Sequence, residues 1–192
     1  MSTTRPIATT RSATGIPTGR LAVWWVLASE IVIFGGLLGS YVMHRIGHPE
    51  WAEYASHTNV WFGGTNTFVL LTSSLFAVFA HHAAEHGDGK TAAKWLLATS
   101  VGAATFLGIK AAEWTGEIHH GYTITANGFW EFYYTAAGLH ALHVIAGAII
   151  MLIIANEARK GKELHRVELV GIYWHFVDIV WIFLFPLLYI AK

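Results

Sequence analysis

The sequence contains no cysteine. Disulfides, thiolate metal sites and cysteine nucleophiles are therefore excluded. Charge is scarce as well: 12 % of the 192 residues are Asp, Glu, Lys or Arg, about half the share in an ordinary soluble domain. Acidic and basic residues number 12 each, so the formal net charge is zero and nucleic acid meets no basic field. Familiar catalytic signatures are missing: there is no GxSxG nucleophile elbow, no HExxH and no phosphate loop. The short "GDG" at 87–89 reads as a turn between two apolar runs, not a nucleotide site.

Apolar surface is what the chain has. Hydrophobic residues make up 54 % of it, and there are nine Trp, a residue that favours the membrane–water interface. Five apolar stretches, 21–43, 63–86, 94–114, 132–157 and 168–190, each approach the roughly 20 residues that a spanning helix needs. A transmembrane β-barrel would show short alternating segments instead. The expectation is an all-α fold, a single integral membrane bundle of five transmembrane helices over residues 20–192. Residues 1–19 are polar, with Pro6 and Pro17, and read as a flexible cytoplasmic tail. No apolar run and cleavage site follow the tail in signal-peptide order.

Lys and Arg counts set the expected orientation. Arg5, Arg11, Arg20, Lys90, Lys94, Arg159, Lys160, Lys162 and Arg166 fall on the N-terminal side, against Arg45, Lys110 and Lys192 on the other. The N-terminus is expected in the cytoplasm and the C-terminus on the periplasmic or extracellular side. Small residues in "FGGLLGS", "SVGAATFLG" and "AAGLHALHVIAGA" suit close helix approach, which drives packing where lipid offers no hydrophobic gain.

Polar groups inside the spans need a reason. Glu30 is the lone charge in its apolar run. His140 and His143 sit three residues apart in the fourth run, and His175 and Asp178 do the same in the fifth, spacings that place each pair on one helix face. Asn66, Thr67, Ser73 and Ser74 supply polar groups to the second run. Lys110 and Glu113 stand near the end of the third, where they are expected to snorkel. At a rise of about 1.5 Å per residue, Glu30, His143 and Asp178 each lie roughly 13–14 Å from the cytoplasmic edge. A carboxylate–imidazole contact between Glu30 and His143 follows. The layer admits a structural polar knot, proton handling, haem ligation or a metal site. The His spacing does not build the two facing pairs that a di-haem frame requires.

Five ordered stretches carry a resemblance. "SEIVIFGG" (29–36), "NTFVLLTSS" (66–74), "FLGIKAAEW" (106–114), "AGLHALHVIAG" (137–147) and "YWHFVDIVWIFLF" (173–185) resemble the conserved blocks of subunit III of the haem–copper terminal oxidases, in its bacterial five-helix form. Two positions depart from the common pattern: Ala141 follows His140, and Lys110 stands where many members have Gln. The resemblance implies a subunit without a catalytic centre, in a proton-pumping respiratory complex of the bacterial cytoplasmic membrane. No haem, copper or other metal is expected in this chain; haem and copper belong to partner subunits, and bound phospholipids are expected.

Subunit I is the implied main partner, with subunit II and a small subunit IV as further candidates, and no nucleic acid. The family's buried carbodiimide-reactive carboxyl maps to Glu30, and its paired helix histidines to His140 and His143, both candidate partners of Glu30. His175, Asp178 and Asn66 are expected as structural anchors, and Arg20 and Arg159 as lipid-headgroup contacts. Two alternatives stand: a subunit III-like accessory protein of a nitric oxide reductase, and a haem b-bearing, quinol-oxidising membrane anchor.

Overall fold

The computed structural model describes residues 15–191. Six helices follow one another: α1 (Thr18–Gly47), α2 (Trp51–Ser56), α3 (Val60–Glu85), α4 (Gly89–His119), α5 (Gly128–Arg159) and α6 (His165–Phe185), and a turn of π-helix (Pro186–Ile190) extends α6. Five of them, all but α2, are long and apolar enough to cross a membrane, α6 together with its π-helical end. The expected tail lies outside the described residues over 1–14, and α1 begins at Thr18, inside the segment read as tail.

The helices overrun the apolar stretches at nearly every end, and capping side chains mark where α3, α4 and α5 begin. Asn59, Asp88 and Asn127 each accept a backbone N–H from the first turn of α3, α4 and α5, at 3.0, 3.0 and 3.2 Å. Each satisfies a donor the helix itself leaves free. Asp88 lies outside the spans, and its carboxyl is held below the ordinary carboxylate value by the Thr91 side chain, with the Thr91 N–H assisting. The α3–α4 turn needs Gly87, whose φ of +76° is a left-handed conformation that ends helices readily.

Helices α3, α4, α5 and α6 form a closed up-and-down bundle in which α4 packs between α3 and α5, and α6 closes the ring against both. The α3–α4 seam is tight at Gly102, where a Cβ would stand 2.6 Å from the Ser73 Cβ. Trp174, Trp181, Phe106, Leu70, Leu96 and Met151 are fully buried in this core. Three polar rungs tie α6 to α3: Trp174 Nε1 donates to Ser73 Oγ at 3.2 Å, Trp181 Nε1 to Thr67 Oγ1 at 3.0 Å, and His175 Nδ1 meets Ser74 Oγ at 2.6 Å.

Helix α1 stands outside the ring, leaning on α6 and α5. In its most apolar stretch 11 % of residues are buried, against 33–50 % in the other four spans. The glycines of "FGGLLGS" correct the packing expectation: Gly35, Gly36 and Gly39 are exposed, with nothing of this chain within 4 Å of an added Cβ. The far end of α1 is nevertheless pinned. Tyr41 Oη donates to the Leu187 carbonyl at 3.0 Å and Arg45 Nη2 to the Ala191 carbonyl at 2.8 Å. Both satisfy carbonyls that a helix C-terminus leaves without partners. The short α2 was not expected within its link; Trp51 anchors it against Tyr41, Phe129 and Phe132.

Candidate functional site

Glu30 of α1 and His143 of α5 meet across the α1–α5 junction, with Nε2 3.0 Å from Oε2. The approach is a close polar contact outside hydrogen-bond alignment. Both side chains are largely covered, at 16 % and 17 % exposed. Phe34, one turn beyond Glu30, sets its ring edgewise to the imidazole at 5.2 Å. On the other side of the ring, Nδ1 lies 2.8 Å from the Leu139 carbonyl. A carbonyl only accepts, so Nδ1 carries a hydrogen and Nε2 is left to face the carboxyl. In an apolar surrounding an isolated charge is costly, so each side chain gains from having a polar neighbour.

His140 does not join Glu30. Its ring is fully buried, stacked on Trp181 at 5.2 Å and edgewise to Phe106 at 5.4 Å, so it faces α4 and α6. Helical spacing put the two histidines near one face; a three-residue step still turns them far enough apart to meet different neighbours. Of the expected anchors, His175 makes its bond to Ser74. Asn66 and Asp178 are buried, and no side-chain atom of either makes a hydrogen bond among the described residues. Asp178 therefore is not part of the Glu30–His143 contact. Arg20 is engaged in an ion pair with Glu168 at 2.6 Å, and Arg159 is exposed at the end of α5.

The expectation for Lys110 and Glu113 is corrected: they do not snorkel but are buried, at 1 % and 3 % exposed. Lys110 Nζ donates to Glu113 Oε2 and to Tyr133 Oη, both at 3.0 Å, and to Tyr189 Oη. The Tyr133 hydroxyl also lies 3.0 Å from Glu113 Oε1 and 3.1 Å from Glu117 Oε1. Rings of Tyr133, Tyr189, Trp181 and Trp114 surround the ammonium at 4.8–5.6 Å, and their faces favour the cation. The signal was present in the sequence, since residues 110, 113 and 117 share one helix face. Tyr133 and Tyr189, from other helices, could not be assigned to it.

The sequence model of the family described as "Cytochrome c oxidase subunit III" matches residues 53–192. A chain of Corynebacterium diphtheriae named cytochrome c oxidase subunit 3 is 35 % identical over 173 residues, covering 86 % of this chain and 84 % of that one. A protein of the same name from Thermostichus vulcanus is 34 % identical, covering 85 % and 83 %. The chain belongs to the cytochrome c oxidase subunit III family. A third relative, from Aeropyrum pernix, is named heme-copper oxidase subunit I+III; it is 32 % identical over 90 % of this chain, which corresponds to 22 % of that larger protein.

As a subunit III family member, the chain is a multi-pass membrane protein. His140 and His143 are both engaged within the chain: the His140 ring is closed in by Phe106 and Trp181, and His143 is turned to Glu30 and Leu139. Among the described residues, no three His, Asp or Glu side chains gather around a point that could hold a metal ion. An apolar cleft of about 400 Å³ opens between α1, α5 and α6, lined by Val23, Val26, Ile150, Leu169 and Tyr173, with Arg166 at its edge. Arg166 is also bound to Glu157 at 3.0 Å and was not among the expected cations.

Proposed function

We propose that this chain is subunit III of a bacterial proton-pumping haem–copper oxidase. It has no catalytic centre of its own, packs on subunit I, and sustains proton uptake and turnover stability there. Family membership carries the assignment. The Aeropyrum pernix relative, whose name joins subunits I and III, supports subunit I as the neighbour; subunit II and a small subunit IV are further proposed members. The named relatives are cytochrome c oxidase subunits, which favours an oxidase over a nitric oxide reductase.

The proton role rests on the Glu30–His143 contact. Glu30 is the carbodiimide-reactive carboxyl, and His143 shares its proton. The 400 Å³ cleft takes the acyl chains of a phospholipid, with Arg166, Arg20 and Arg159 near its headgroup, where guanidinium suits phosphate. The family reading puts the chain in the cytoplasmic membrane, and the Lys and Arg distribution supports an N-terminus in the cytoplasm.

The test is Glu30→Gln in the intact complex, compared with wild type for carbodiimide labelling of this subunit, proton uptake rate and turnovers before inactivation. Labelling, uptake rate and working lifetime are all expected to fall while assembly is retained. Unchanged uptake and lifetime would remove the proton role, and unchanged labelling would place the reactive carboxyl elsewhere.

A further inference from the structure

The Lys110 cluster is unused by the function proposed above. It holds two carboxylates, Glu113 and Glu117, against one ammonium, and all three side chains are more than nine-tenths buried. Lys110 spends its three N–H groups on Glu113, Tyr133 and Tyr189. It makes no hydrogen bond to Glu117, which meets hydroxyls instead.

Those hydroxyls do not have enough hydrogens. Tyr133 lies against Glu113 Oε1 and Glu117 Oε1 at 3.0 and 3.1 Å, but it has one proton to donate. Tyr134 lies 3.4 Å from Glu117 Oε2 and 2.8 Å from the Tyr122 carbonyl. A carbonyl cannot donate, so the shorter contact takes the Tyr134 proton. The Tyr134 oxygen is then an acceptor facing Glu117 Oε2. A proton on that carboxyl completes the contact and removes the negative charge that Lys110 leaves unbalanced. A buried charge without a partner is far costlier than a buried neutral acid.

The cluster has access to water. A cavity of about 370 Å³ is lined by His57, Asn59, Glu113, Glu117, His120 and Tyr122. His57 and His120 flank Tyr122 at ring distances of 4.9 and 6.5 Å. The cavity lies at the α2 end of the bundle, opposite the end where α1 begins. The groups facing Glu117 are thus Lys110 and Glu113 on its own helix, Tyr133 and Tyr134 on α5, Tyr189 at the end of α6, and His57, His120 and Tyr122 in the links.

We propose that Glu117 is a proton-binding site: a neutral carboxylic acid at rest, exchanging one proton through this cavity with water on the α2 side of the membrane. In the exchange the carboxyl O–H bond breaks, and the proton passes to water or to a buffer base in the cavity. The bonding pair stays on the carboxylate, and nothing is oxidised or reduced.

Infrared titration of the intact oxidase complex tests it, with the glutamates of this subunit labelled with carbon-13 to separate them from aspartates. The background is Glu30→Gln, so that the glutamate of the α1–α5 junction is silent and this proposal stands or falls apart from the Glu30 role. A labelled carboxylic acid C=O band is expected that fades as pH rises and shifts promptly on transfer to D2O. Glu117→Gln should abolish it, and Glu117→Asp should remove the labelled band while leaving an unlabelled one. Lys110→Gln should enlarge it about twofold, because Glu113 then loses its cation.

The proposal is overturned by a band equal in size in Glu117→Gln, or by no labelled acid band at any pH, which would make the cluster a fixed ion network. A band that shifts in D2O only on the timescale of unfolding would also overturn it. If Glu117→Gln fails to assemble, the titration and D2O shift of the Glu30→Gln complex decide alone.

Discussion

Glu30 Oε2 and His143 Nε2 stand 3.0 Å apart at the junction between α5 and α1, the least buried of the five spans. The contact is a polar clasp on an otherwise apolar seam. In membrane proteins such contacts stabilise by about 0.6 kcal/mol on average and rarely by more than ~2 kcal/mol. A double-mutant cycle of Glu30→Gln and His143→Leu, read as thermal unfolding in detergent, should therefore give a coupling of about 1 kcal/mol. A coupling indistinguishable from zero would mean that the two side chains are neighbours without shared energy.

Gly102 and Gly36 should respond oppositely to the same change. Gly102→Ala places a methyl 2.6 Å from the Ser73 Cβ, and overpacking of that kind costs about 1–3 kcal/mol. Gly36→Ala meets nothing within 4 Å and should leave the isolated chain as stable as wild type or slightly more so, since Ala is the better helix former. Melting of the purified subunit compares the two directly; equal effects would contradict the packing described for α3 and α4.

Lys110→Met leaves Glu113 buried beside hydroxyls alone. Removing one partner of a buried ion pair costs about 3–5 kcal/mol, and the loss should shrink as pH falls, because protonation of the carboxyl relieves it. Adding Glu113→Gln to Lys110→Met should recover much of the stability at neutral pH. A single variant as stable as wild type above neutral pH would show that the ammonium is dispensable.

Asp88 makes a separate, acid-sensitive contribution. Its carboxyl value is lowered in the folded state by Thr91, so the stabilisation is fully present above the unfolded carboxylate value and is lost as pH falls through the folded one. Asp88→Ala should lower the melting temperature at neutral pH, and the gap from wild type should close on acidification below the usual carboxylate range. Asp88→Asn keeps a capping oxygen and should show little of that pH dependence. A gap between Asp88→Ala and wild type that stays constant with pH would assign the effect to helix propensity instead.

The spans were legible because apolar runs of membrane length leave little alternative for the backbone: in lipid each N–H and C=O must be satisfied within its own segment. The ends were less legible. Asn59, Asp88 and Asn127 start α3, α4 and α5 several residues before the expected bounds, and in α4 the added turn is polar sequence, where hydropathy carries no signal. The Glu30–His143 contact could be anticipated because helix rise converts residue number into depth. Depth favoured His143 but carries no information on azimuth, so His140 stayed a candidate until Trp181 and Phe106 were found around it.

What the sequence by itself determined is therefore the one-dimensional part: five membrane helices, the scarcity of charge within them, the layer of Glu30 and His143, and the family, through five motifs in order. The tertiary structure alone decided which faces meet. It placed α1 outside a four-helix ring, left Gly35, Gly36 and Gly39 exposed, and drew Lys110 inward. The reason is physical. A lysine near a helix end reaches water if its helix faces outward there, and is buried if tyrosines and carboxylates of neighbouring helices supply partners. For Lys110 those partners come from Tyr133 and Tyr189, residues separated from it by 23 and 79 positions.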